Sequence, residues 1–457
     1  MRRWLLCMII SCVMISILIR SSIYGEGGYS PARGVLDSSF GNRGIVVYNN
    51  PNHYDQGISI YVDSSGKIYV TGHSVRNMVI WRYNVDGTLD KTFGNNGIVV
   101  FDKSSWSIGN SIYVDKNGKI YVTGCRSNSS GNFNMMIWKY NRDGKLDKTF
   151  GNGGIVVYND SYKEKCYDGK SIYVDSNGKI YVAGLVINGK GHEEYKVIDY
   201  GENASMVVWR YNVDGKLDKT FGNGGIVVHK GAAGGNKGDR GLSIYVDKNG
   251  KIYVTGYSYN SSGNFNMVIW RYNRDGILDK TFGNRGIVVF DKSELSSGKS
   301  IYVDKNGKIY VTGISYNSNG NSDMIIWRYN EDGTLDETFG NEGIVVHNGA
   351  AGGNGNDGGN SIYVDSKGKV YVTGFSLRGG GDIERITERI NTDMVIWRYN
   401  GDGTLDETFG NGGIVVNGGN DADGGNSIYV DSNGKVYVTG ISFSKNGGAD
   451  MVIWKYK

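Results

Sequence analysis

The run Ser-Ile-Tyr-Val-Asp-x-x-Gly-Lys-Ile-Tyr-Val-Thr-Gly, with small variations, occurs seven times in this chain. Each copy leads into Met-Val-Ile-Trp-Arg-Tyr-Asn, and all but the last continue through Leu-Asp-x-x-Phe-Gly-Asn-x-Gly-Ile-Val-Val. Self-similarity at such a period marks a repeat architecture, in which one supersecondary unit buries its apolar faces only against neighbouring copies. The first Ile of the run falls at Ile60, Ile112, Ile172, Ile244, Ile301, Ile362 and Ile428, so successive units are 52 to 72 residues apart.

Each unit holds four short runs of strand character. In the first unit these are Ser59–Asp63, Lys67–Gly72, Met78–Asn84 and Gly97–Val100. All are rich in β-branched and aromatic residues and are bounded by turn formers. Asp63 and Gly66 mark a tight hairpin turn between the first two runs, and Asn84, Asp86 and Gly87 mark another after the third. No helical period recurs. Ile60 and Val62 share one face while Tyr61 occupies the other, so neither face reads as solvated. A four-stranded sheet covered on both faces and repeated radially is a propeller blade.

The ends of the repeated region decide between a ring and an open solenoid. Gly34–Val47 supplies a fourth strand without its first three, and Ser427–Lys457 supplies three strands without a fourth. Pairing the two removes the open edge that would invite aggregation, whereas a solenoid would need polar capping units. The expected fold is therefore all-β: a seven-bladed β-propeller of four-stranded antiparallel blades, spanning 34–457 and closed by the N-terminal strand. The two constant phrases resemble the delta-60 repeat, a bacterial β-propeller repeat, and are similar in layout to NHL-type blades. That resemblance covers Gly34 to Lys457. It implies a secreted or cell-surface propeller and brings no catalytic residues with it.

Residues 1–25 open with Arg2 and Arg3 and continue as an apolar run, Trp4–Ile19. This is the pattern of a secretory signal peptide, with a short linker at 26–33. The alternatives are an uncleaved membrane anchor, for which the run is slightly short, and a lipoprotein box around Cys12. Export to the medium or cell envelope is expected in every case, and contact with membrane only through this segment. The formal net charge is +4. Removing the N-terminal arginines Arg2, Arg3 and Arg20 brings it to near neutrality, which gives no support for a nucleic-acid partner. In an exported protein Cys125 and Cys166 can pair as a disulfide, with two unpaired thiols as the alternative.

Strand alternation puts the connections on two faces. Those joining strands one to two and three to four are nearly identical among units. The others differ freely, and such loops on a rigid scaffold commonly carry binding. Two stand out. Unit three inserts a segment with Glu193, Glu194 and Tyr195 at its crown. Unit six inserts another with Asp382, Glu384 and Arg385, where Ile383, Ile386 and Ile390 are spaced for one face of a short helix. Three steps apart in a ring of seven, the insertions would rise across the channel from each other and could grip a ligand. The repeated tryptophans, from Trp81 to Trp454, read as inter-blade packing, with seven sugar sites as the competing reading. Asp90 and Phe93 read as a turn cap and a hydrophobic plug.

Among cofactors none is expected. Calcium is the one cation with any support, from the Gly-rich loop ending at Asp357 and from the Asp421–Asp423 loop. The five histidines are scattered, and no zinc, phosphate-loop or nucleophile-elbow motif occurs. The functional expectation is a monomeric binding module for a protein or carbohydrate ligand. The alternative is an extracellular polysaccharide hydrolase or lyase using the insertion carboxylates.

Overall fold

The computed structural model describes residues 35–457 except 51–53, 102–104, 160–164, 189–202, 294, 354, 379–391, 419–421 and 444–447. The described residues form strands and turns with no helix. Five sheets have four antiparallel strands each. The remaining sheet has eight, because two four-stranded sets (units three and four) meet at a single parallel bridge, Ala204 to Gly238.

In the first unit Asp55–Val62 pairs with Ile68–Ser74, which pairs with Asn77–Tyr83, which pairs with Ile98–Phe101. The hairpin turn works as its residues suggest. Asp63 Oδ1 accepts the amides of Ser65 and Lys67 at 2.9 and 3.0 Å, and Gly66 takes φ 79°. The first strand begins at Asp55, four residues before the repeated run. Ile58 is the reason it was not legible: it forms a β-bulge between the Gly57 and Ser59 pairs and so breaks the alternation on which strand assignment rests. All seven first strands carry this irregularity at the same place.

The first strands of successive units pack side by side, and that of the first unit packs against those of units two and seven. Two cycles of contact run around them. In one, the Ser59 hydroxyl accepts the Ile112 amide of the next unit, Ser111 accepts Ile172, and so on until Ser427 accepts Ile60, all at 3.2–3.3 Å. In the other, Tyr61, Tyr113, Tyr173, Tyr245, Tyr302, Tyr363 and Tyr429 each touch both neighbours, with centroids 5.6–6.0 Å apart. Burial pushes these hydroxyls upward; for Tyr173, burial and the Tyr113 ring beside it raise it to about 12.

The core lies between sheets. Every repeated Trp is at most 1 % exposed, which rules out seven open sugar platforms. Six of the seven meet, at steeply tilted or edge-on angles, the residue that ends the preceding unit's fourth strand: Tyr48, Phe101, Tyr158, His229, Phe290 or His347, with centroids 5.4–5.9 Å apart. Each such pair contributes about 0.5–1.5 kcal/mol beyond its buried area. The strand Ile45–Tyr48 pairs antiparallel with Ala449–Tyr456, Ile45 opposite Trp454, and completes the last sheet.

Candidate functional site

On the variable face three loops are anchored by a buried aspartate of the following first strand, two residues before its bulge glycine. Asp55 accepts the Asn50 amide at 2.9 Å, Asp239 accepts Gly231 and Ala232, and Asp357 accepts Gly349 at 2.6 Å; all three aspartates are wholly buried. The His229 Nδ1 lies 2.7 Å from Asp239 Oδ2. Ser258 and Ser376 then accept the amides of Ala233 and Ala351, so the two Gly-Ala-Ala-Gly-Gly loops are held alike. The Asp357 carboxyl, part of the calcium-like sequence, is thus engaged with its own loop. Burial pushes it above the usual carboxylate range. Among the described residues no three His, Cys, Asp or Glu side chains converge as metal ligands. Asp421 lies outside the described residues.

The predicted ligand residues Glu193, Glu194, Tyr195, Asp382, Glu384 and Arg385, and the proposed helix around them, also lie outside the described residues. Their stems are described. The first insertion leaves from Asn188 and returns at Asn203, whose amide donates to Lys237 O of the next unit at 2.9 Å. The second is clasped at its base by Arg378, which meets both carboxylate oxygens of Asp393; the Nε to Oδ2 distance is 2.5 Å. Both stems are thereby fixed to the scaffold. Cys125 and Cys166 are both buried. Burial and the nearby Asp168 push the Cys125 thiol well above its ordinary value. Cys166 Sγ accepts the Phe133 amide at 3.5 Å.

The constant face holds a feature that phrase-by-phrase reading missed. Lys67 of the hairpin turn, Arg82 of the third strand and Asp90 of the following loop meet, with Lys67 Nζ at 2.7 Å and Arg82 Nη2 at 3.0 Å from Asp90 Oδ2. Burial alone would raise Asp90. Hydrogen bonds from Lys67 and Thr92 and the Arg82 charge outweigh it and hold the carboxyl well below the usual range. The Arg82 guanidinium also lies 4.4 Å over the Phe93 ring, which is wholly buried. The cap and plug expected at Asp90 and Phe93 are therefore parts of one ion cluster. Its signal was present: Lys, Arg and Asp recur at fixed phase in nearly every unit.

Between units three and four the cluster borders a cleft of about 320 Å³, lined by Lys179, Tyr181, Arg210, Asp218, Thr220, Arg274 and Asp275. Lys179 Nζ and Arg210 Nε lie 2.6 and 3.0 Å from Asp218 Oδ2, and Arg210 Nη2 donates to Thr220 Oγ1 at 3.0 Å. Arg210 Nη1 donates to the Arg274 carbonyl of the next unit, which sets Arg274 on the lip.

Five segments of the chain, 64–93, 116–150, 248–282, 305–339 and 368–409, match the family described as a domain of unknown function (DUF5122) β-propeller. Each starts in the first hairpin turn and ends at or near the Phe-Gly of the loop before the fourth strand. The match supports a β-propeller repeat family, a broader statement than the delta-60 resemblance. No curated protein matches the chain. Among solved structures it is similar to a Trypanosoma rangeli sialidase in complex with sialic acid, at 13% identity and TM-score 0.43, covering 77% of this chain and 56% of that one. The chain thus spans just over half the length of that sialidase. It is also similar to a Dyadobacter fermentans protein of unknown function, at 12% identity and TM-score 0.41, covering 90% and 98%. A third is virginiamycin B lyase from Staphylococcus aureus, at 13% identity and TM-score 0.39, with the same coverage.

Proposed function

We propose that the chain is an exported, seven-bladed β-propeller of the delta-60 type, acting as a monomeric binding module through its variable-loop face. Residues 1–25 serve as its signal peptide in this reading. Seven blades are supported by the cycle of Ser–Ile hydrogen bonds, which returns to Ile60 after seven steps. The binding reading rests on one observation: units that repeat almost letter for letter diverge on one face, most of all in two insertions on anchored stems. A fixed stem lowers the ordering cost of whatever its loop binds.

Replacing 189–202 and 379–391 with the short Val75-Arg76 connection of unit one tests this. Thermal melting should stay within a few degrees of the parent, and ligand binding found by a glycan screen, run with and without calcium, should disappear. Retained binding after both replacements would count against the variable face. A polysaccharide hydrolase would instead place carboxylates of the insertions roughly 5–10 Å apart across a sugar ring. Turnover of a polymer lost on Glu193→Gln or Glu384→Gln would favour that alternative.

A further inference from the structure

We propose that the constant face, opposite the variable loops, carries a binding site for an acidic polysaccharide centred on the cleft between units three and four. The near-neutral balance of the whole chain hides a division of charge on this face. After the Asp of Leu-Asp-x-x-Phe stand Lys91, Lys148, Lys219 and Lys280 in units one to four, but Glu337 and Glu407 in units five and six. Within Asn-x-Asp-Gly, Arg142 and Arg274 of units two and four give way to Glu331 in unit five. Before the fourth strand, Arg285 of unit four gives way to Glu342. All of these side chains are exposed. The sign changes occur at matched positions on one backbone, so they gather positive charge on four adjacent units and negative charge on the next two.

The cleft sits within the positive arc, between its last two units. Lys179, Arg210 and Arg274 face it against the carboxylates of Asp218 and Asp275, and Tyr181 lines it. Asp218 engages Lys179 and Arg210, which leaves Arg274 on the lip as the cation turned to an incoming group. The equivalent lip residue between units four and five is Glu331, whose carbonyl likewise accepts from Arg271. One scaffold therefore attracts an acidic group at one seam and repels it at the next. The Thr220 hydroxyl and the exposed Asp275 suit sugar hydroxyls beside a carboxylate. No aromatic side chain is exposed among the described residues, so the stacking platform of a single-stranded nucleic-acid site is lacking.

The test is calorimetric titration of the full chain with polygalacturonate, beside uncharged dextran and a DNA duplex, at low and at physiological salt. Polygalacturonate should bind, dextran should not, and affinity should fall with salt as counterion release requires. Arg274→Glu, Lys280→Glu and Arg285→Glu together should weaken binding at least tenfold and flatten the salt dependence without lowering the melting temperature. Unit five already carries Glu at those three positions on the same backbone. The reverse set, Glu331→Arg, Glu337→Lys and Glu342→Arg, should strengthen binding. Absence of binding at low salt, unchanged affinity in the first triple variant, or preference for the duplex would overturn the proposal. Loop replacement leaves this face intact, so its outcome is independent of the reading of the variable face.

Discussion

At the scale of single residues, the seam between sheets leaves no room for one methyl group. A Cβ on Gly109 would lie 2.3 Å from Thr71 Oγ1 of the preceding unit and 3.0 Å from Val122 Cγ1. Thr71 cannot swing away cheaply, because its hydroxyl donates to Val79 O at 2.9 Å. Gly109→Ala should therefore cost about 1–3 kcal/mol, measured by urea unfolding, and Thr71→Ala in the same chain should recover part of it. No recovery would show that the clash lies elsewhere. The sequence reading places glycine in turns, which is right for Gly66. Gly109 has no positive φ and serves close approach instead. That role depends on a side chain of another unit, 38 positions away in the chain, and no local pattern displays it.

At the scale of elements, the N-terminal segment acts as a clasp. Its strand Ile45–Tyr48 finishes the last sheet, and the turn before it brings Asp37 to the place held by Asp90 in the first unit. Asp37 is wholly buried, accepts from Lys435 at 2.7 Å and lies 3.5 Å from the buried Lys455. Removing the carboxylate leaves Lys455 in the seam without its counter-charge. Asp37→Ala should cost roughly 3–5 kcal/mol, read as a lower urea midpoint, and a shift within error would show that the clasp contributes little. The pairing of the terminal segments was legible, since a lone fourth strand and a three-stranded remainder complement each other. The ion cluster was not: its partners lie at opposite ends of the chain and become neighbours only when the cycle closes.

Acid stability is a property of the whole molecule, because equivalent carboxylates recur around it. Burial holds the His73 imidazole down at about 4, below its ordinary 6.5, and shifts His347 the same way. A histidine whose pKa is depressed on folding binds its proton more readily when unfolded. Stability is therefore intact above about pH 6.5 and falls toward pH 4, by up to about 3 kcal/mol for His73. The buried aspartates Asp37, Asp90, Asp147, Asp218, Asp279, Asp336 and Asp406 are held below their ordinary 3.8. Their contribution is present above about pH 4 and is lost on further acidification. Urea midpoints followed from pH 7 to pH 3 should decline in two stages, and His73→Phe should shrink the first alone. A profile flat down to pH 4 would contradict the buried, neutral imidazole.

Strand, turn and repeat are local matters, set by the spacing of β-branched residues around Asp and Gly, and the sequence alone determines them here. It also determines that one face of the protein is constant and the other variable, because strand direction alternates. Only the tertiary structure decides what meets across the seams: Ser59 with Ile112, Tyr61 with Tyr429, Arg82 with the Arg142 carbonyl, Arg274 on the lip of its neighbour's cleft. These contacts join residues far apart in the chain, and the desolvation that gives them their energy exists only once the sheets have packed.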